Sequence, residues 1–134
     1  MAISKCGVCD ARNQQFPRPI DAYKAIIDKL VTKTSQGVHE RLVIEVGIWS
    51  KAPHEDAAND FIRSLSTEQR RMLGRMLHDV RQSAIIDVLA ELSWWISTQD
   101  VGFTFRGEPM PTELSGEGLH GDYIGRIADW EWPD

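Results

Sequence analysis

Residues Ser66–Ser97 read STEQRRMLGRMLHDVRQSAIIDVLAELSWWIS, and this stretch sets the fold class of the whole chain. Ser66 and Gln69 form the S-x-x-Q pattern of a capping box, in which each side chain accepts a backbone N–H at the start of a helix. After the box, apolar residues recur every three or four positions, which is the spacing of an amphipathic helix. The stretch predicts a helix that starts at Ser66 and forms the core of a mainly helical protein.

The apolar residues of this stretch form two stripes on the helix. The second stripe, after Ser83, is displaced from the first by about 100°. A single helix would span about 48 Å at 1.5 Å per residue, whereas a compact chain of this size has a radius of gyration of about 14 Å. We favour a break near Arg81–Ser83, and the alternative is a continuous helix whose halves face different neighbours. We expect the first stripe to be buried; its members are Met72, Leu73, Met76, Leu77, Val80 and Ala84.

The composition is that of an ordinary globular protein. The chain has 134 residues, of which 42% are hydrophobic and 26% charged, so one domain over residues 1–134 is expected. No apolar run approaches the roughly 20 residues that cross a bilayer, and the N-terminus lacks the apolar centre of a signal peptide. These features predict a cytoplasmic protein that does not bind a membrane.

The net charge of −5 is unevenly distributed. Residues 1–100 carry 13 basic and 13 acidic side chains, whereas residues 101–134 carry two basic and seven acidic ones. An acidic surface repels phosphate groups. The sequence therefore predicts no nucleic-acid partner.

Three further segments before the long helix have helical patterns. Ile20–Ser35 has an amphipathic stripe, with Pro19 at its entrance and Gly37 beyond its end. Residues 39–50 fit both helical and strand spacing, and we expect a helix because both flanks are helical. Glu55–Leu65 predicts a short helix that buries its apolar residues, which are Ala58, Phe61, Ile62 and Leu65.

From Asp100 onward the pattern changes. Val101–Arg106 alternates like a half-buried strand and is followed by the turn residues Gly107–Pro109. A last helix is expected over Asp122–Trp130, and its inward-pointing residues should be Tyr123, Ile124, Ile127 and Trp130. The predicted fold is thus mainly α, a small helical bundle with a short β-hairpin or extended segment near the C-terminus. It comprises a mobile arm (1–19), a helical core (20–99) and an acidic segment packed on the bundle (100–134).

Cys6 and Cys9 form a C-x-x-C motif, which can supply half of a tetrahedral zinc site or a redox pair. The four histidines are scattered and show no matching ligand spacing, and no strand and helix flank the motif. We expect reduced thiols and no cofactor, with a zinc site at Cys6 and Cys9 as the alternative.

Two other groups of residues are candidates for function. Polar side chains around the C-terminal Gly/Pro-rich loop are typical of a ligand-binding site, although helix capping and surface ion pairs would explain them equally. They are Arg106, Glu108, His120, Asp122 and Tyr123. Tryptophan is enriched at protein interfaces, which makes Trp94, Trp130 and Trp132 candidate interface residues, while Trp95 falls on the apolar stripe and is expected in the core.

The C-terminal third resembles a known family. Phe103–Pro111, Gly121–Ile124 and Trp132–Pro133 are similar to the C-terminal signature of a small family of uncharacterised bacterial proteins, and the similarity extends to Ser66–Arg70. This resemblance implies a bacterial cytosolic protein and assigns no catalytic or binding residue.

The sequence favours a non-enzymatic protein that binds another protein, as an accessory or immunity-like factor, or associates with itself as a homodimer. This prediction depends on the lack of a catalytic motif and on the acidic, tryptophan-bearing C-terminal segment. The alternative is a small-ligand or metal-dependent enzyme that uses the polar residues of the C-terminal loop.

Overall fold

The computed structural model describes Phe16, residues 18–35 and residues 37–134. The predicted fold is confirmed, because the described chain is mainly helical and has a two-stranded hairpin near its C-terminus. Most of the predicted arm, including Cys6 and Cys9, lies outside the described residues. The elements are α1 (Pro19–Ser35), α2 (Val38–Arg41), a π-helix (Leu42–Val46), α3 (Asp56–Ser64), α4 (Thr67–Gln99), β1 (Phe103–Phe105), β2 (Glu108–Met110) and α5 (Gly118–Ile127).

The described residues divide into two compact units. The middle unit is Leu30–Val88, and the terminal unit combines the described residues up to Lys29 with Leu89–Asp134. The boundaries fall inside α1 and α4, so each of these helices contributes residues to both units. No helix of the described chain combines the length and the apolarity that crossing a bilayer requires.

Helix α4 begins as its sequence predicts. The Ser66 amide donates to Gln69 Oε1 at 2.8 Å, and the Gln69 amide donates to Ser66 Oγ at 3.1 Å. The expected break near Arg81–Ser83 is wrong, because the helix is continuous over 33 residues. None of the residues in this stretch opposes a helix interior as proline does. The two apolar stripes instead belong to a helix that serves two units, because α4 passes from the middle unit to the terminal unit after Val88.

The terminal unit is built on α1, the end of α4 and α5. Its buried apolar residues are Ala22, Tyr23, Ile27, Leu89, Leu119 and Tyr123. Helix α5 begins at Gly118, four residues before the predicted start, and Ile124 is exposed where we expected it to point inward. Ile26 on α1 is likewise exposed.

The hairpin of the terminal unit closes with a two-residue loop. Phe105 pairs with Glu108, and between them Arg106 and Gly107 have φ angles of 52° and 82°. Positive φ at both central residues is the feature of a type I′ turn, whose twist matches that of the flanking strands. Pro109 pairs with Thr104, next to the Phe105–Glu108 pair that closes the loop. Hydrogen-bonded and non-hydrogen-bonded pairs alternate in an antiparallel hairpin, so this position needs no backbone N–H donor and accepts a proline.

The middle unit is held by Val43 and Ile62 in its core and by one buried amide. Asn59 Oδ1 accepts from the amide of Trp49 at 2.8 Å, and Asn59 Nδ2 donates to the Ser50 carbonyl at 3.0 Å. These bonds fix the loop that follows the π-helix. The helix expected within residues 39–50 is confirmed as Val38–Arg41 continued by the π-helix. In α3, the predicted core residue Phe61 is exposed.

The predicted burial of the first α4 stripe is wrong for four of its six members, since Ala84 is exposed together with three larger residues. Met72 is 54% exposed, Met76 56% and Val80 69%. The opposite side of α4 is the packed one, because Gly74 contacts Ile44 and two polar residues of α4 pair with Glu40. The periodicity shows correctly that these residues share one face of α4. The other segments of the protein, however, pack on a different face of this helix.

Candidate interaction surface

Asp122, one of the predicted ligand-binding residues, is fully buried in the terminal unit. Its Oδ2 accepts from the Tyr23 hydroxyl at 2.5 Å and from the Leu114 amide at 2.8 Å, and its Oδ1 accepts from the Ser115 amide at 2.8 Å. Burial, together with the hydrogen bond to Asp122, raises the pKa of Tyr23. Asp122, which lies on α5, therefore connects this helix to α1 and to the loop that precedes α5.

The other predicted ligand-binding residues lie in different surroundings. Arg106 is at the hairpin turn with its guanidinium 4.7 Å from the centroid of the Phe105 ring, and Glu108 is exposed on β2. His120 Nδ1 lies 3.4 Å from an α4 hydroxyl, Ser93 Oγ, and Tyr123 is fully buried. The structure thus distributes the set among the hairpin, the α4–α5 contact and the core. Its ligand-binding role stays a prediction.

Two of the predicted interface tryptophans pack within the terminal unit. The Trp130 and Trp132 rings lie 5.3 Å apart in an edge arrangement. Trp132 Nε1 donates to Asp28 Oδ2 at 3.0 Å, and the Trp132 ring lies 6.1 Å from the Tyr23 ring. Arg126 Nε donates to Asp28 Oδ1 at 2.7 Å. These contacts tie the end of the chain to α1.

Trp94 and Trp95 form an exposed pair near the end of α4. They lie 5.5 Å apart in an edge arrangement, and about half of each residue is exposed. The expected core position of Trp95 is wrong, since its indole donates to Glu91, one turn earlier on the helix surface. Trp94 keeps the exposure that a contact residue needs.

No structure is described for Cys6 and Cys9, so the zinc alternative is not tested. Within the ranges that the structure does describe, no group of three or more His, Cys, Asp and Glu side chains is placed to hold a metal ion.

An apolar row on α4 is exposed in the described structure. Met72, Met76, Val80, Ala84 and Val88 follow one another at intervals of four residues, and all five are exposed. Residues four apart on a helix are surface neighbours, and such rows form the ridges of helix packing. We call these five residues the ridge. It lies in the middle unit and is about 24 Å long at 1.5 Å per residue.

A groove runs beside the ridge in the same unit. It holds about 410 Å³ and is lined by Leu77, Val80, Arg81 and Ala84 of α4 together with Val38, His39, Glu40 and Trp49. A second pocket of about 220 Å³ is lined mainly by apolar residues, which are Trp49, Ala58, Phe61, Ile62 and Leu73. A ridge with an adjacent groove is the surface that a second helix uses when it packs.

A polar cluster holds the packed face of α4. Glu40 is almost buried, and its carboxylate lies 3.3 Å from His78 Nδ1 and 3.1 Å from Arg81 Nε. Arg81 Nη2 also donates to the Lys33 carbonyl near the end of α1 at 3.1 Å. This cluster joins the packed face of α4 to α2 and leaves Met72, Met76 and Val80 exposed on another side of the helix.

The family assignment follows from a comparison with family models. The model for a family of unknown function, DUF6547, matches residues 17–134. The chain belongs to this family. The resemblance found in the C-terminal third is confirmed and covers nearly the whole described chain, while the bacterial origin stays a prediction. Comparisons with curated proteins and with solved structures each gave no match.

The apolar spacing of α4 places four of the five ridge residues in one stripe, with Val88 outside it, but the burial that it predicted for them is wrong. A signal for the opposite face was present, because Gly74, His78 and Arg81 are spaced by four and three residues and so share one side of α4. Glycine permits close approach of another helix, and charged side chains can pair with a buried acid. Glu40, which completes that face, has no local pattern that would have indicated its burial.

Proposed function

We propose that this chain is a non-enzymatic interaction protein that binds an amphipathic helix of a partner protein along the ridge. The observation that carries the proposal is the unbroken row of five exposed apolar residues on one helix. Exposed contiguous apolar patches are uncommon on proteins that act alone, because burying them is favourable.

The chemistry of the ridge supports this role. Methionine is flexible and polarisable, and it is enriched in interfaces relative to the rest of a protein surface. Met72 and Met76 supply such side chains next to the β-branched Val80, while the groove beside them offers space for the apolar residues of a second helix. A partner helix with apolar residues every three or four positions fits this surface.

The proposal extends to the kind of partner. The ridge lies within residues 1–100, whose 13 basic and 13 acidic side chains balance, so a partner is selected by its apolar face rather than by its net charge. We infer an accessory or immunity-like role in the cytoplasm, in which the protein acts by occupying a surface of that partner.

A small-ligand enzyme with a site at the C-terminal loop has less support. The carboxylate of Asp122 already accepts hydrogen bonds from Tyr23, Leu114 and Ser115, and Tyr123 is fully buried. An enzyme of this kind would have to work with His120, Arg106 and Glu108, which lie in two different places on the terminal unit.

Site-specific photocross-linking in the native cells tests the proposal. A photoreactive phenylalanine analogue is placed at position 76 or 80, and matched controls carry it at the exposed positions Lys51 and Arg63. We expect a discrete adduct from the ridge positions alone. The protein in that adduct, once identified and purified, should bind the wild-type chain and lose that binding with Val80→Glu. Equal labelling from ridge and control positions would overturn the proposal.

A further inference from the structure

We propose that the helix received by the ridge is α4 of a second copy of this chain, packed antiparallel across Met76 and Leu77. This inference rests on the proposed function, because it assigns an occupant to the same surface. The resulting homodimer would have two-fold symmetry, in which both copies use the same patch.

The apolar residues fit an antiparallel pairing about this point. When two copies of a helix cross antiparallel, residues on one side of the crossing point face residues on the other side. Met72 of each copy then faces the neighbourhood of Val80 of the other, and the two Met76 side chains meet near the two-fold axis. All three residues are more than half exposed in the single chain, so the pairing covers apolar surface on both copies.

The charges beside the ridge favour the same arrangement. Arg75 and Asp79 are four residues apart, lie on one flank of the ridge and are both exposed. Among the residues that the structure describes, neither has an ion-pair partner on another element of the chain. They straddle the crossing point, so in the antiparallel dimer Arg75 of each copy reaches Asp79 of the partner subunit.

The parallel direction loses the opposite-charge contacts. In a parallel pair whose two-fold axis runs along the helices, each flank of one helix faces the other flank of its partner, so Arg75 and Asp79 do not meet the flank that carries the opposite charge. The antiparallel pairing gives two opposite-charge contacts related by the two-fold axis. Charge complementarity therefore favours a second copy of α4 that runs antiparallel to the first.

The groove supplies the remaining surface. The groove runs along the flank of the ridge that does not carry Arg75 and Asp79, so it borders the contact on its other side. The depression beside the ridge is lined by Leu77, Ala84 and Trp49 among others. Each copy thus presents a ridge and a groove, as a self-complementary interface requires.

Light scattering coupled to size exclusion measures the first consequence. We expect a mass near twice the 15.2 kDa of one chain, and a dissociation constant raised about tenfold or more by Val80→Glu or Met76→Glu. Circular dichroism should show unchanged helix content, because both side chains are exposed. Val80→Ser is the second variant if the glutamate variants do not fold. A wild-type mass of one chain at all accessible concentrations would overturn the dimer.

A charge-exchange experiment tests the direction of pairing. Arg75→Asp and Asp79→Arg should each weaken self-association, because each places like charges opposite one another at both contacts. Mixing the two variants should restore a dimer that contains one chain of each kind. Lys51→Asp and Asp134→Arg make the same charge changes elsewhere and should leave association unchanged. Failure of the mixture to associate while the wild type dimerises would overturn the antiparallel pairing.

The cross-linking experiment separates this inference from the proposed function. An adduct of two copies of the chain supports the homodimer and the helix-binding role of the ridge, and it overturns an accessory role in which the ridge binds a different protein. An adduct with a different protein, together with a monomeric purified chain, overturns the homodimer and leaves the proposed function standing. Absence of any ridge-specific adduct in a monomeric chain overturns both.

Discussion

The hydroxyl of Tyr23 donates a 2.5 Å hydrogen bond to Oδ2 of Asp122, and both side chains are buried. The two residues are 99 positions apart in the sequence. Because Asp122 also accepts two backbone amides, a single carboxylate joins α1, the loop at Leu114–Ser115 and α5. This contact explains how the acidic C-terminal region is held on the first helix of the terminal unit.

Tyr23→Phe should lower the free energy of unfolding by about 1.5–3 kcal/mol, because it removes a buried donor to a carboxylate. Urea unfolding measures this cost. Asp122→Asn should also destabilise, since its amide nitrogen replaces an oxygen that accepts a hydrogen bond. The double variant should cost less than the sum of the two single ones, as expected for residues in direct contact. Simple additivity would show that the two side chains do not interact.

The pH dependence of stability should carry a contribution from Tyr23. Burial and the hydrogen bond to Asp122 raise the pKa of Tyr23 above that of an unfolded tyrosine, which is about 10. The folded state therefore holds the proton more tightly, and this stability is fully present below about pH 10 and lost as the pH rises further. Wild type should lose more unfolding free energy than Tyr23→Phe above pH 10. Parallel curves for the two proteins would contradict the assignment.

A matched pair of valines tests which side of α4 is covered. Val43 is fully buried and Val80 is 69% exposed, both in the middle unit. Val43→Ala should cost about 1–3 kcal/mol, from the lost burial of two methyl groups and the cavity that remains. Val80→Ala should stay within about 0.5 kcal/mol of wild type. Chemical denaturation of the dilute chain measures both values, and equal costs would place Val80 in the core.

Replacing Gly47 by alanine should destabilise the middle unit, mainly because the backbone of Gly47 has a positive φ. It ends the π-helix with a φ of 77°, and a Cβ there would lie 2.2 Å from Nη1 of Arg70. Gly47→Ala should lower the unfolding free energy by at least about 1–2 kcal/mol, which is the cost of a left-handed alanine alone. Gly102→Ala is the control, since a Cβ there meets no atom within 4 Å. Thermal denaturation should show a lower midpoint for Gly47→Ala and little change for Gly102→Ala.

Local signals predicted the elements well. The Ser66–Gln69 capping box, Pro19 at the start of α1 and the turn at Gly107 each depend on residues within a few positions of one another, and the structure has all three. Such features follow from backbone hydrogen bonding and dihedral preference, which a short segment determines largely by itself. The fold class could therefore be read from the sequence.

Burial could not be predicted in the same way. Periodicity shows that Met72, Met76 and Val80 share a face, but it does not show which segment covers that face. That depends on contacts between distant positions, such as Glu40 with His78 and Arg81 in the middle unit. The burial of Asp122 could not be predicted either. Its carboxylate accepts three hydrogen bonds from other segments, which the Gly- and Pro-rich sequence around it did not indicate.

The ridge should be bare in the isolated chain and covered in the cell. Oxidative footprinting of methionines measures this directly, with the half-buried Met110 of β2 as the internal reference. In the dilute purified chain, Met72 and Met76 should oxidise faster than Met110. Inside the native cells, both should be protected severalfold relative to Met110. Equal oxidation of Met72 and Met76 in the two settings would contradict the claim that the ridge binds a protein.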